Sequence, residues 1–264
     1  MNPAARLLVP VAVAACGCTA ALKEPPPISE LAPAKVPSGS ARALLEEAEA
    51  EYAKRPDAAA VRKADELCLE AAQADGADVA GLICSVRAKA WLVEHSSRPA
   101  ERTDLSVSAV QVGQWCLRRA PKSAACRYWL AVALGMQARE KPRTADDAIG
   151  RILKLLQEAS ASDPEIDEAG PERILALVLL RAPGWPLGPG DAEEALAMAR
   201  KAVQLKPVYP PNQLALGEAL GRTARPAEAR EAFGRALDLA KKSAQAGDPD
   251  AAGWSAEAQA RLKE

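Results

Sequence analysis

Residues 193–207 read EEALAMARKAVQLKP, and residues 227–241 read AEAREAFGRALDLAK. Both stretches are helical in composition, and both place small side chains where a core would take leucine: Ala195, Ala199 and Ala202 in the first, Ala229 and Ala236 around Phe233 in the second. A helix that lies against two neighbours at once accepts Ala, Gly, Cys or Ser at the contact, because only these let helix axes approach to about 8 Å. Small residues are therefore a packing code, and Pro207 ends its hairpin by withholding the next backbone donor. The code recurs upstream. Aligned helix ends read AAQADG (71–76), CLRRAP (116–121), ASASDP (159–164), AVQLKP (202–207) and ALDLAK (236–241), with offsets of 45, 43, 43 and 34 residues. One packing problem solved at intervals predicts an array of helical hairpins, the longer intervals fitting the same unit with extra turns between its two helices.

Composition agrees. Of 264 residues, 60 are alanine, against one Phe and three Tyr, which starves strands of the aromatic residues they favour and predicts an all-α fold. The formal net charge of −1 supplies no basic field for nucleic acid. The N-terminus stands apart. MNPAARLLVPVAVAACGC has one early cation, Arg6, and an apolar run from Leu7 to Ala15 that is too short to span a membrane, so residues 1–15 read as a signal peptide. Val13-Ala14-Ala15 leading into Cys16 resembles the lipobox of bacterial lipoproteins, which implies acylation of Cys16 and an anchor in a lipid membrane; a plain secretory signal with an incidental cysteine is the alternative. Gly17, where Asp would be the retention signal, favours the outer membrane, with the domain facing the periplasm. Residues 16–39 carry five prolines between Thr19 and Gly39 and are expected to form an extended, semi-rigid tether. Repeats should fill 40–245, starting with Ser40 and Asp57 as N-caps, and a C-terminal helix should follow over 246–264.

The interval of 34 residues, with Leu216-Gly217 and Leu220 in one helix and Ala229, Phe233 and Ala236 in the next, resembles a tetratricopeptide repeat, so the expected fold is an α-solenoid of about five hairpins with a C-terminal capping helix. Gln213 and Leu220 depart from that pattern where large aromatics are usual, and Lys241 where Pro is. Beyond the generic repeat, RPDAAAVRKADELCLEAA (55–72) and PERILALVLLRAPGWPLGPGDAEEALAMARKAVQLKPVYPPNQLALGEAL (171–220) are similar to the T-component lipoproteins associated with TRAP transporters, the anchors being Arg173, the Pro183 to Asp191 loop and Asn212. That resemblance implies a periplasmic lipoprotein whose partner is a solute-binding protein, and a surface or pore through which a hydrophobic ligand passes.

Four cysteines fall in the repeats. Cys68 and Cys84 lie equally far from Gly76, and Cys116 and Cys126 equally far from Pro121, each at a turn between antiparallel helices. Residues equidistant from such a turn face each other. In an exported protein this predicts disulfides 68–84 and 116–126, each worth on the order of 3 kcal/mol; small packing residues are the other reading. No Cys-x-x-Cys or neighbouring His completes a metal site, and no pattern calls for a cofactor. His95 stands alone at a helix end and reads as solvated. Asp146-Asp147 and Glu193-Glu194 sit in first turns, where carboxylates offset the helix dipole. GWPLGPGD (184–191) lacks the third glycine and the strand that a phosphate loop needs, so it reads as an inserted turn closed by an Asp191 N-cap, with Trp185 stapling its two helices or, as the other reading, reaching toward a ligand. No catalytic constellation emerges, and an enzyme is not expected.

Binding remains. The first helix of each hairpin turns one face to the groove, which selects Ile83, Arg87 and Trp91; Tyr128, Val132 and Met136; Arg173, Leu177 and Leu180; and Leu214, Glu218 and Arg222. This mixture of apolar and charged groups suits a protein or peptide partner, with Trp91 and Tyr128 as anchors. Burial in the bundle is the competing account for Val132, Leu177 and Leu180. A carrier or channel for a small hydrophobic ligand is the alternative function, as is an envelope-assembly scaffold unrelated to transport; self-association into a homo-oligomer is open.

Overall fold

A computed structural model describes residues 23–31 and 40–263. The signal peptide, Cys16 and the remainder of the tether lie outside the described residues. Among those described stand twelve α-helices: α1 (Ile28–Leu31), α2 (Ala41–Tyr52), α3 (Ala58–Ala74), α4 (Ala80–His95), α5 (Pro99–Arg119), α6 (Ala124–Glu140), α7 (Ala145–Ser162), α8 (Ile166–Arg181), α9 (Ala192–Leu205), α10 (Pro210–Arg222), α11 (Pro226–Gln245) and α12 (Ala251–Lys263). No strand is present among them. Helix starts are written locally. The Ser40 hydroxyl accepts from the Ala43 amide, and the carboxylates of Asp57 and Asp191 each accept from two first-turn amides. Ser123 caps α6 in the same way.

From α2 to α11 the helices pair as hairpins, and α12 packs on α11. First helices α2, α4, α6, α8 and α10 touch one another in succession, whereas no second helix touches the next second helix. The layer whose members meet is the tighter one, so the first helices form the inner face and α3, α5, α7, α9 and α11 the outer. The small residues that open the five aligned helix ends, Ala71, Cys116, Ala159, Ala202 and Ala236, are all buried, none more than 2% exposed. In the first four, that residue's carbonyl also accepts the last helical amide, from Asp75, Ala120, Asp163 and Lys206. One position thus sets both the packing distance and the stop. The longer intervals differ from the expectation of extra turns between helices. Only α8 and α9 are joined by a long connection; elsewhere the surplus lengthens the helices, α5 reaching 21 residues against 14 in α9.

The equidistant cysteines meet. Cys68 and Cys84 are joined across α3 and α4 with Cα atoms 5.6 Å apart, and Cys116 and Cys126 across α5 and α6 at 5.3 Å. Gly217 shows the close approach that the repeat pattern demands, since a Cβ there would fall into the Phe233 ring.

Part of the segment expected to form an extended, semi-rigid tether packs on the helices. Pro25 is buried, and Ile28 and Leu31 pack against the main core through α5 and α3. At the far end the solenoid curls back on itself, where Asp250 between α11 and α12 reaches Arg55 between α2 and α3.

Candidate functional site: the inner face

The inner face is organised by two polar networks. The first sits where the solenoid's ends meet. Arg55 lies 3.7 Å from the Tyr52 ring centroid and donates to the Asp250 carboxylate through two nitrogens, each at 3.1 Å. Trp91 adds its indole N–H to the same carboxylate at 3.1 Å. Arg87 lies 4.5 Å from the Tyr52 centroid and pairs with Glu49 of the neighbouring first helix. Burial pushes the Tyr52 phenol above its ordinary pKa, against the opposing pull of Arg55 and Arg87. His95 is exposed, yet its ring stacks on Trp91 at 3.9 Å.

The second network is built around an unusual backbone. Asp167, Glu168 and Ala169 at the start of α8 all have positive φ (50°, 56° and 65°), a left-handed turn that L-residues adopt at a cost of about 1–2 kcal/mol each. Arg173 over-determines it. Its guanidinium donates to the carbonyls of Asp167 and Glu168, to the Asp167 carboxylate at 2.6 Å, and to Asn212 Oδ1 at 3.0 Å. Asn212, fully buried on α10, donates its amide to the carbonyls of Glu168, Ala202 and Lys206. Tyr128 closes the cluster by donating its hydroxyl to Asp167. Burial, reinforced by the Asp167 charge, drives the Tyr128 phenol well above its usual pKa. Burial opposes the Arg173 charge, but Tyr128, Asp167 and Tyr209 hold its pKa above the ordinary value. Gly170 is required here, because a Cβ would enter the Tyr128 ring.

The twelve residues assigned to the groove all fall on α4, α6, α8 and α10, the inner layer. Their accessibility splits them. Trp91, Tyr128, Met136, Arg173, Leu180 and Leu214 are buried; Ile83, Arg87, Val132, Leu177 and Glu218 are half-buried; Arg222 is exposed. The two expected anchors therefore need correction. Tyr128 is 1% exposed and Trp91 8%, each spending its polar atom on an internal carboxylate, so both are struts behind the surface. Four-residue spacing picks out one helix face, and that face includes the stripe by which each first helix meets the next. The stapling reading of Trp185 is also corrected. The side chain is 90% exposed and staples nothing, and Leu187 beside it is 86% exposed. The loop holding them is fixed by its own backbone, with the Gly188 and Leu187 amides donating to the Gly184 carbonyl and Gly190 donating to Pro183.

Tyr209, Trp254, Arg55 and Asp250 went unread in the sequence. Tyr209 meets Trp254 edge-on at 5.4 Å and lies 5.1 Å from the Arg173 guanidinium. They come from turns and from the capping helix, where no periodic signal points. Among the described residues, no group of three or more His, Cys, Asp or Glu is placed to hold a metal ion, and no helix is long and apolar enough to cross a membrane.

No family model and no curated protein matches the chain in sequence. Solved structures do match its shape. The chain is similar to TTC0263, a thermophilic TPR protein in Thermus thermophilus, with TM-score 0.62 and 21% identity over 83% of this chain and 99% of that one. It is also similar to MamA (41-end) from Desulfovibrio magneticus RS-1, with TM-score 0.50 and 18% identity over 76% and 96%. The fold is an all-α tetratricopeptide-repeat solenoid.

Proposed function

We propose that the chain is a lipid-anchored protein of the bacterial cell envelope whose inner face binds a protein partner, as an accessory of a TRAP-type solute transport system. The observation that carries the binding reading is the inner face. Ile83, Arg87, Val132, Leu177, Glu218 and Arg222 line consecutive first helices with apolar and charged groups interspersed. Behind them, Tyr128, Arg173 and Asn212 lock the backbone. A prearranged surface of this mixed kind suits a polypeptide, since little ordering cost remains at binding. A small apolar ligand would need a continuous apolar wall, which Arg55, Arg87, Asp250 and Glu218 interrupt.

The transport assignment rests on the resemblance read at Arg173, the Pro183 to Asp191 loop and Asn212, two of which are hydrogen-bonded to each other. A periplasmic solute-binding protein is the partner it implies. The anchor rests on Val13-Ala14-Ala15-Cys16. The test is capture of a purified solute-binding protein by the wild type and by an Arg87→Ala/Leu177→Ala/Arg222→Ala chain. Retention by the wild type with at least tenfold weaker retention by the variant, at unchanged helicity, supports the reading; equal retention, or none by either, contradicts it.

A further inference from the structure

Trp115 of α5 donates its indole N–H to the carbonyl oxygen of Pro26 at 2.7 Å. Arg118, one turn away, stands 5.3 Å from the centroid of the Trp115 ring and donates to Glu24 at 2.9 Å. Pro25 is buried between them in sequence, and Ile28 and Leu31 sit on the apolar core. A proline-rich segment has few amide donors and prominent carbonyl acceptors, and it holds an extended form before it binds. An aromatic face with an indole donor at its edge is the complementary surface.

We propose that the α5 face around Trp115 and Arg118 is a seat for a proline-rich peptide, filled in cis by residues 24–31, and that its occupancy makes the tether a short leash. Extended chain spans at most about 3.6 Å per residue. From Cys16 to the docked Glu24 the chain reaches no more than about 29 Å, whereas from Cys16 to Ser40 it would reach about 85 Å with the seat empty. Docking thus limits how far the repeats can stand from the lipid. The leash rests on acylation of Cys16; the seat does not.

The seat is tested on the full chain by hydrogen exchange of the Trp115 indole N–H, its NMR signal assigned by its loss in Trp115→Phe. Replacing residues 24–31 with Gly-Ser repeats should speed that exchange at least tenfold, and millimolar synthetic peptide of sequence KEPPPISEL should slow it again. Unchanged exchange in the replaced chain, or no response to the peptide, overturns the seat. The leash is tested by reflectivity of acylated chains on a supported phosphatidylethanolamine–phosphatidylglycerol bilayer. The repeat domain should lie tens of ångströms further out in the replaced chain than in the wild type. Equal heights for two bilayer-bound chains overturn the leash, while chains that carry no acyl group and never reach the bilayer overturn the anchor on which it rests.

Discussion

Arg55 and Asp250, 195 positions apart in the chain, share two hydrogen bonds of 3.1 Å that join the first hairpin to the last turn. A linear stack of repeats has no such contact, because each unit touches only its neighbours. The pair is partly buried, its side chains 11% and 28% exposed, and Trp91 donates to the same carboxylate. Removing Asp250 leaves three N–H donors, two of Arg55 and one of Trp91, short of an acceptor. Asp250→Ala should therefore cost about 1.5–3 kcal/mol. Hydrogen exchange should quicken first in α12, and a chemical-denaturation series checks both.

The left-handed turn before α8 makes opposite predictions for two substitutions. Arg173→Lys loses the fork that spans Asp167, Glu168 and Asn212 and should destabilise the fold by about 3 kcal/mol, since a buried charge is left with poor partners. Glu168→Gly removes a left-handed side chain at an exposed position (φ 56°) and should stabilise by about 1 kcal/mol. Thermal melts of both variants decide the matter by sign.

Non-reducing peptide mapping of protein from an oxidising compartment should recover residue 68 joined to 84 and 116 joined to 126. Each bridge should contribute about 3 kcal/mol. Paired Cys116→Ser/Cys126→Ser should lower the denaturation midpoint accordingly, while four alkylatable thiols in the native protein would return these residues to packing.

Glu101 supplies the acid-side prediction. The Ser96 hydroxyl, with Arg62 and Arg98, holds its carboxyl down to about 2. A depressed carboxylate adds stability that is full above its unfolded pKa and lost as pH falls through the folded one. Unfolding free energy should decline between about pH 4.5 and pH 2, with a smaller decline in Glu101→Gln, as urea melts across that window would show.

Much of the architecture was legible because it depends on short-range chemistry. Ala71, Cys116, Ala159, Ala202 and Ala236 announce each hairpin by size alone, and Ser40, Asp57 and Asp191 announce helix starts by their side-chain oxygens. Even the cysteine pairs follow from counting outward from a turn. The site was less legible. Helical periodicity puts Tyr128 and Leu177 on the same inner layer but does not say which is covered, because cover comes from Asp167 on the next hairpin. Three successive non-glycine residues with positive φ carry no local mark, since Asp167, Glu168 and Ala169 would ordinarily continue a helix. Asp250 is likewise invisible to any local pattern, its partners lying at the other end of the chain.

The most direct test of inner-face binding is photo-crosslinking in living cells. A photoreactive amino acid is placed in turn at Arg87 and Arg222 on the inner layer, and at exposed Lys154 on outer helix α7. Inner-face binding predicts one discrete adduct from the two inner positions, identified by mass spectrometry as an exported solute-binding protein, and none from position 154. No adduct from either inner position, or the same adducts at all three, would contradict it.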